Sequence, residues 1–279
     1  MKYYDRKTKR ILEEKEFGGK SLEFLYNTIP GRFLLKLFFA RPIFSKLASV
    51  YYKSSLSKRK IKKFVEKYNI DIDKEYKSFN EFFIRDGYTE NNQHINDLVS
   101  IANGKLSIYR INDDLRLNIK HSSYSLIDIL EDTNIAKFFK NGTCLVYRLS
   151  VNDNHRYNYL DDGTLSFHKK IKGKLHTIRP IAKEHNVYTQ NTREISLLNT
   201  KNLDYVVQIE VGALLIGKIK NNRKLTFHKN EEKGYFEFGG STIVILLNKN
   251  IEFDEDIIKA NNEGLEVQVT SGEKIGVII

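Results

Sequence analysis

Near Leu98 the hydrophobic pattern of this chain changes period, and that change limits the fold more than any other feature. Before it, Leu22, Phe24, Leu25, Phe33, Leu34, Leu37, Phe38 and Phe39 recur at spacings near three and four, the repeat of an amphipathic helix. Pro30 and Pro42 divide this stretch into short helices, because proline has no amide proton to give a helix interior. Ile61, Phe64 and Val65 share one face of a further helix over 57–68. Phe79, Phe82 and Phe83 anchor a short one behind Ser78, whose hydroxyl suits an N-cap. After Leu98 the apolar residues come in short runs split by Gly, Asn and Asp: 106–111, 143–149, 165–170, 205–211, 214–219, 243–247 and 265–270. These read as strands, and 125–139 reads as one helix among them. The expectation is an α+β chain, with a basic helical region over 1–90 packed on a β-rich catalytic-type domain over 91–279.

Charge narrows the choice of partner. The 279 residues carry 46 Lys and Arg against 35 Asp and Glu, a net charge of +11, which favours an anionic partner. The excess is concentrated: between Gly31 and Asn69 a series of basic residues from Arg32 to Lys67 faces one acid, Glu66. Within it, residues 33–52 (FLLKLFFARPIFSKLASVYY) mix lysines with many aromatic and aliphatic side chains. Two readings fit this stretch. It is a membrane-surface element whose lysines attract anionic head groups, or a helical layer packed on the domain with solvated lysines. A basic nucleic-acid-binding module is a lower-ranked alternative, and nucleic acid is not the expected partner, because no zinc-finger spacing, helix-turn-helix or RNA-binding motif accompanies the charge.

No run of about 18 apolar residues is present, and the first residues, MKYYDRKTKRILEEKE, lack the apolar core of a secretory signal. The expectation is a peripheral protein at the cytoplasmic face of a membrane. Cys144 is the single cysteine and sits between Thr143 and Leu145, the setting of a buried structural thiol. His94, His121, His168, His176, His185 and His228 show no metal-ligand spacing, so no metal is expected. The chain as a monomer or a homo-oligomer fits these observations equally.

The chemistry centres on Gly239-Gly240-Ser241-Thr242, which leads into an apolar strand-like run. Glycine reaches backbone conformations closed to other residues, so a strained peptide bond can be held there for the Ser241 hydroxyl to attack. Taken alone, the string also fits an ordinary turn or bulge. Further segments accompany it. Ile209-Glu210-Val211-Gly212-Ala213-Leu214-Leu215-Ile216-Gly217-Lys218-Ile219 is followed by Glu232-Lys233-Gly234-Tyr235-Phe236. Upstream stand Ser78-Phe79-Asn80-Glu81-Phe82-Phe83-Ile84-Arg85, then Arg148-Leu149 with Asp153-Asn154-His155-Arg156-Tyr157-Asn158, and Asn191-Thr192-Arg193.

Together these segments resemble the phosphatidylserine decarboxylase family over nearly the whole chain. The resemblance implies that a precursor cuts itself between Gly240 and Ser241, leaving chains 1–240 and 241–279. It implies that Ser241 becomes a pyruvoyl group, whose carbonyl serves as an electron sink. Phosphatidylserine would then lose carbon dioxide to become phosphatidylethanolamine. Thr242, Glu210 and Gly212 would support the site.

Several family positions differ here, two of them in the processing machinery. The family's processing aspartate lies in a Ser-Pro-x-Asp-Gly motif, which reads Ser100-Ile101-Ala102-Asn103-Gly104 in this chain. Its histidine motif, His-Arg-x-His, reads His155-Arg156-Tyr157-Asn158, so the triad histidine is Asn158. The Arg-Pro-Ile motif upstream is replaced around Gln93-His94-Ile95, and Val151 stands where a proline is expected. An amide cannot take a serine proton near neutral pH. Two outcomes follow: slow self-processing that uses His155, or an uncut homologue that keeps the fold and lipid binding. From the residues alone, Asn103-Gly104 is a turn dipeptide, His155 an ordinary surface or core histidine, and Glu210 an edge-strand charge.

Overall fold

The computed structural model describes residues 1–14, 19–40, 42–72, 74–86, 94–119, 122–177, 186–213, 218–237 and 241–279. Its centre is a ten-stranded sheet. Across the sheet the order is Thr226–Phe227, Gly163–Ile171, Arg193–Thr200, Asp204–Val211, Ser241–Leu247, Thr143–Leu149, Gly104–Arg110, Glu266–Val269, Lys2–Asp5 and Arg10–Glu13. All pairs are antiparallel except Lys2–Asp5 against Glu266–Val269. The architecture is α+β, as the change of period implies.

The sequence explains which strand lies in the middle. Ser241–Leu247 reads STIVILL, without the polar alternation of a half-exposed strand, and every one of its side chains is buried. Val244 and Leu246 enter one core with Cys144, Val146, Val207, Ile209 and Val211. Ile243, Ile245 and Leu247 enter the opposite core with Leu145, Tyr147 and Leu149. A strand covered on both faces reads as a near-continuous apolar run, as residues 243–247 do. Each such side chain contributes about 1.5–3 kcal/mol of burial. Cys144 is fully buried, and burial pushes its thiol pKa well up, as expected of a structural cysteine.

The first third is helical as its spacing implies, in short pieces: Gly19–Asn27, Ile29–Leu34, a π-helical turn Leu35–Phe39, Pro42–Lys53, a 3₁₀ turn Ser55–Lys58, Arg59–Tyr68 and Phe79–Phe83. Ser78 caps the last of these by accepting from the Glu81 N–H at 3.2 Å. Ile61, Phe64, Tyr76, Phe79, Phe82, Phe83 and Val151 form a third core. It fastens this helical pair to the turn after the Thr143–Leu149 strand.

Three expectations change. The 125–139 helix is two helices, Leu126–Leu130 and Thr133–Phe138. Glu131 between them adopts a left-handed conformation with φ 49°, and Asp132 starts the second by accepting from two amide protons at 2.9 Å. Residues 2–13 form a hairpin on the sheet edge, although they fall in the stretch read as helical. A helix over Glu255–Asn262 has no counterpart in the predicted elements.

Candidate active site

Ser241 opens the central strand. It is fully buried, and its hydroxyl, like that of Thr242, has no hydrogen-bond partner among the described residues. Ser241 faces Leu149 on one neighbouring strand, while Thr242 lies between Arg148 and Val211. Gly239 and Gly240, the other half of the expected cleavage site, lie outside the described residues, as do Leu214–Gly217 of the adjoining signature, His185, His121 and Gln93.

The chain on the other side of the glycines is held close by. Phe236 N–H donates to the His155 carbonyl at 2.9 Å, and Glu237 N–H to the Lys218 carbonyl at 3.1 Å. The buried Glu237 carboxylate accepts from Lys53 Nζ at 2.7 Å and from Ser49 Oγ at 3.1 Å. Both ends of the 236–241 segment therefore rest on one stretch of chain, 149–155: Ser241 at Leu149 and Phe236 at His155.

That stretch is a tight turn organised by a carboxylate. Asp153 N–H donates to the Ser150 carbonyl at 3.0 Å, and Ser150 N–H returns a bond to Asp153 Oδ2 at 2.8 Å. Lys105 Nζ donates to the same oxygen at 3.1 Å, with both residues buried. Burial pushes the Asp153 carboxyl up, but the Lys105 ammonium and the Ser150 N–H outweigh it and hold its pKa below the usual carboxylate range. Next along, His155 is fully buried. Its ring stacks on Phe83 with centroids 3.8 Å apart and planes 29° apart, and its Nδ1 lies 3.0 Å from the Asp153 carbonyl oxygen. The Ser78 helix therefore reaches the site through Phe83.

Asn103 and Asn158 come together elsewhere. Asn103 Oδ1 accepts from the Ser271 N–H at 2.7 Å, and Asn158 Nδ2 donates to Ser271 Oγ at 3.1 Å. Two residues far apart in the chain thus meet on one serine of the C-terminal segment. Nothing in the sequence points to Ser271; only the folded chain brings it between them. Asp153 and Lys105 are also absent from the sequence expectations, although Asp153 stands within the His155 motif.

Glu210 is no edge charge. Its strand is internal to the sheet, and the residue is fully buried. Its Oε1 accepts from Lys233 Nζ at 2.7 Å, and Asn221 Nδ2 donates to its Oε2 at 3.0 Å. Burial raises the Glu210 pKa, and Lys233 only partly opposes the rise. Glu210 lies directly across from Ile243. Because strand side chains alternate faces, it shares the face of Ser241, one diagonal step away. Beside it, Glu194 accepts from Lys170 Nζ at 2.7 Å and Asn221 Nδ2 at 3.0 Å. Burial acts to raise its pKa, but bonds from His168, Lys170 and Asn221 bring it down to about 2.

Gly212 is held by its backbone. Its N–H donates to the Thr192 carbonyl at 2.9 Å, and its carbonyl accepts from Asn191 Nδ2 at 2.8 Å. The Asn-x-Arg element is thus a backbone fastener: Arg193 donates to the carbonyls of Ile129 at 2.7 Å and Asp128 at 2.9 Å. Among the described residues, no group of three or more His, Cys, Asp or Glu is placed to hold a metal.

Comparison with known proteins identifies the family. The family model for phosphatidylserine decarboxylase matches residues 77–277, from the Ser78 cap to the last strand. The chain is 47% identical over 282 residues to phosphatidylserine decarboxylase proenzyme 2 of Clostridium acetobutylicum, covering 98% of this chain and 97% of that one. It is 38% identical to the phosphatidylserine decarboxylase proenzymes of Clostridium perfringens and Clostridium kluyveri, with 99% of each chain covered in both cases. The chain belongs to the phosphatidylserine decarboxylase family.

Proposed function

We propose that this chain is made as a precursor, cuts itself between residues 240 and 241, and then converts phosphatidylserine to phosphatidylethanolamine and carbon dioxide. The observation that carries this reading is the state of Ser241. Its hydroxyl is buried with no hydrogen-bond partner among the described residues, which costs stability and supports a role in chemistry. A buried serine at the head of a rigid strand also fits the place of a pyruvoyl group, which would supply an electron sink for decarboxylation once formed. The names of the relatives, all proenzymes of this activity, support the same reading.

The residues around Ser241 have separate tasks in this reading. The ladder to Leu149 and the bond from Phe236 to His155 fix the two ends of the segment to be cut, so attack needs little loss of freedom. Glu210 and Lys233 keep a compensated charge pair on the same face, which gives a buried site polarity without net charge. The Phe83 ring and the apolar residues of the sheet exclude water.

The substrate is read as coming from an anionic bilayer surface at the cytoplasmic face. Ile29, Phe33, Leu47, Val50 and Leu56 are exposed on successive helices of the first third, Ile29 at 82% and Val50 at 70%, with Arg32 and Lys36 exposed among them. Exposed apolar side chains mixed with basic ones suit a lipid interface. No helix among the described residues is long and apolar enough to cross a membrane.

Intact-mass measurement tests the reading. Two chains are expected, 1–240 and 241–279, the smaller with a blocked N-terminus. The product should release carbon dioxide from phosphatidylserine vesicles and bind them more weakly as salt rises. One full-length mass that persists through long incubation would mean an uncut homologue and end the proposal. Salt-insensitive binding would end the bilayer part of it.

A further inference from the structure

Self-cleavage requires a group that takes the proton from the Ser241 hydroxyl, and Asn158 and Asn103 cannot do so. Neither amide has useful basicity, and both are committed to Ser271. Glu210 shares the face of Ser241, but each of its oxygens already accepts a bond, from Lys233 or from Asn221. His168 is engaged with Ser196 Oγ at 3.2 Å and Glu194 at 3.4 Å, on strands beyond Glu210. His176 lies 3.4 Å from the Tyr26 hydroxyl, beside Asn191.

His155 differs from all of these in three ways. The first is placement. Its own carbonyl accepts from Phe236, and the turn leading to it begins at Leu149, opposite Ser241. The second is protonation. Its Nδ1 faces a main-chain carbonyl at 3.0 Å. A carbonyl oxygen only accepts, so the neutral ring carries its proton on Nδ1 and its lone pair on Nε2. That is the form a general base needs. The third is electrostatic support. The carboxylate two residues earlier is buried and held ionised by Lys105, where it can stabilise an imidazolium. Stacking on the buried Phe83 ring fixes the orientation of the imidazole.

We propose that His155 is the proton acceptor for Ser241 in self-cleavage, with Asp153 as its positioning residue. This inference rests on the self-processing reading above. The chain would thus perform with residues 153 and 155 the task that the resemblance assigns to positions 103 and 158. In the step, Ser241 Oγ bonds to the carbonyl carbon of residue 240 as its proton passes to His155 Nε2. The carbon–nitrogen bond to Ser241 then breaks, and the imidazolium gives the proton to that nitrogen. The product is an ester with a free amine. No atom is gained or lost, and no oxidation state changes.

The test uses the full chain in two backgrounds, followed by intact mass over time. In the natural background, His155→Ala is expected to slow cleavage by about 100-fold or more, the usual span of a general base. Asp153→Asn is expected to slow it by a smaller factor. In an Asn103→Asp/Asn158→His background, which returns an acid and an imidazole to the family positions, both variants are expected to slow cleavage by a much smaller factor than in the natural background, the remaining loss being that of the contacts to Phe83 and Lys105. A merely structural role for His155 would impair cleavage by the same factor in both backgrounds, and that result overturns the inference. Cleavage of His155→Ala at the natural rate in the natural background overturns it as well. A natural chain that never cleaves is a different outcome, because it removes the self-processing reading itself.

Discussion

The asparagines at 103 and 158 are not idle replacements. One accepts from the Ser271 amide and the other donates to its hydroxyl, at 2.7 and 3.1 Å, so together they tie the loop before the last strand to the Ala102–Tyr157 contact. The same distances show that side chains at 103 and 158 reach a common residue. An aspartate at 103 can keep the bond from the Ser271 N–H, and a histidine at 158 is then within reach of both. Asn103→Asp with Asn158→His is therefore expected to accelerate cleavage by at least about tenfold, against the roughly 10⁴-fold that an orienting aspartate supplies in serine proteases. A mass time course unchanged by the double substitution would show that these positions do not carry the family's chemistry in this chain.

At the scale of elements, the site depends on short pieces with strong local signals. Phe79–Phe83 is a five-residue helix, too short to persist alone. It is held by the Ser78 cap and by the bond from Phe79 N–H to Ser57 Oγ at 2.9 Å. Ser78→Ala is expected to cost about 1 kcal/mol and, because Phe83 stacks on His155, to slow cleavage more than that loss of stability explains. Urea unfolding alongside a cleavage time course separates the two effects; equal slowing in a comparably destabilised variant remote from the site would remove the link.

These same elements show what could be read in advance. The Thr143 and Ser241 strands were legible because burial on both faces favours near-continuous apolar runs. Ser78 was legible because a cap is a local event. The 125–139 helix was misread because Glu131 takes a left-handed conformation without the glycine that usually announces one. The 2–13 hairpin was missed because its strands are short, charged and mostly exposed, so they lack a buried pattern. The meeting of Asn103 and Asn158 at Ser271 joins residues 168 and 113 positions apart, a relation that no local pattern encodes.

For the molecule as a whole, buried carboxylates set the response to acid. Glu194 has an ordinary value of 4.5 that falls to about 2 in the folded chain. A carboxylate whose pKa is depressed on folding contributes stability that is complete above its unfolded value and is lost as pH falls through the folded one. Glu210 is raised and acts in the opposite sense, so it cannot account for acid loss. The thermal midpoint is expected to fall between about pH 4.5 and pH 2, with Glu194 contributing on the order of 3 kcal/mol. Glu194→Gln should flatten this part of the curve; a curve identical to that of the natural chain would show that the drop arises elsewhere.

The position of Ser241–Leu247 in the sheet also governs timing. The strands at 143–149 and 204–211 are made first, yet they do not pair with each other: the strand that joins them comes from the last part of the chain. The Lys2–Asp5 strand likewise waits for Glu266–Val269. As the chain emerges from synthesis, these edges stay open until nearly the whole sequence is present, when they are exposed to wrong partners. The ladder that holds Ser241 opposite Leu149 can close only once residues 241–247 have been made, so under the proposed self-processing the bond before Ser241 would be shielded from early cutting by the order of synthesis.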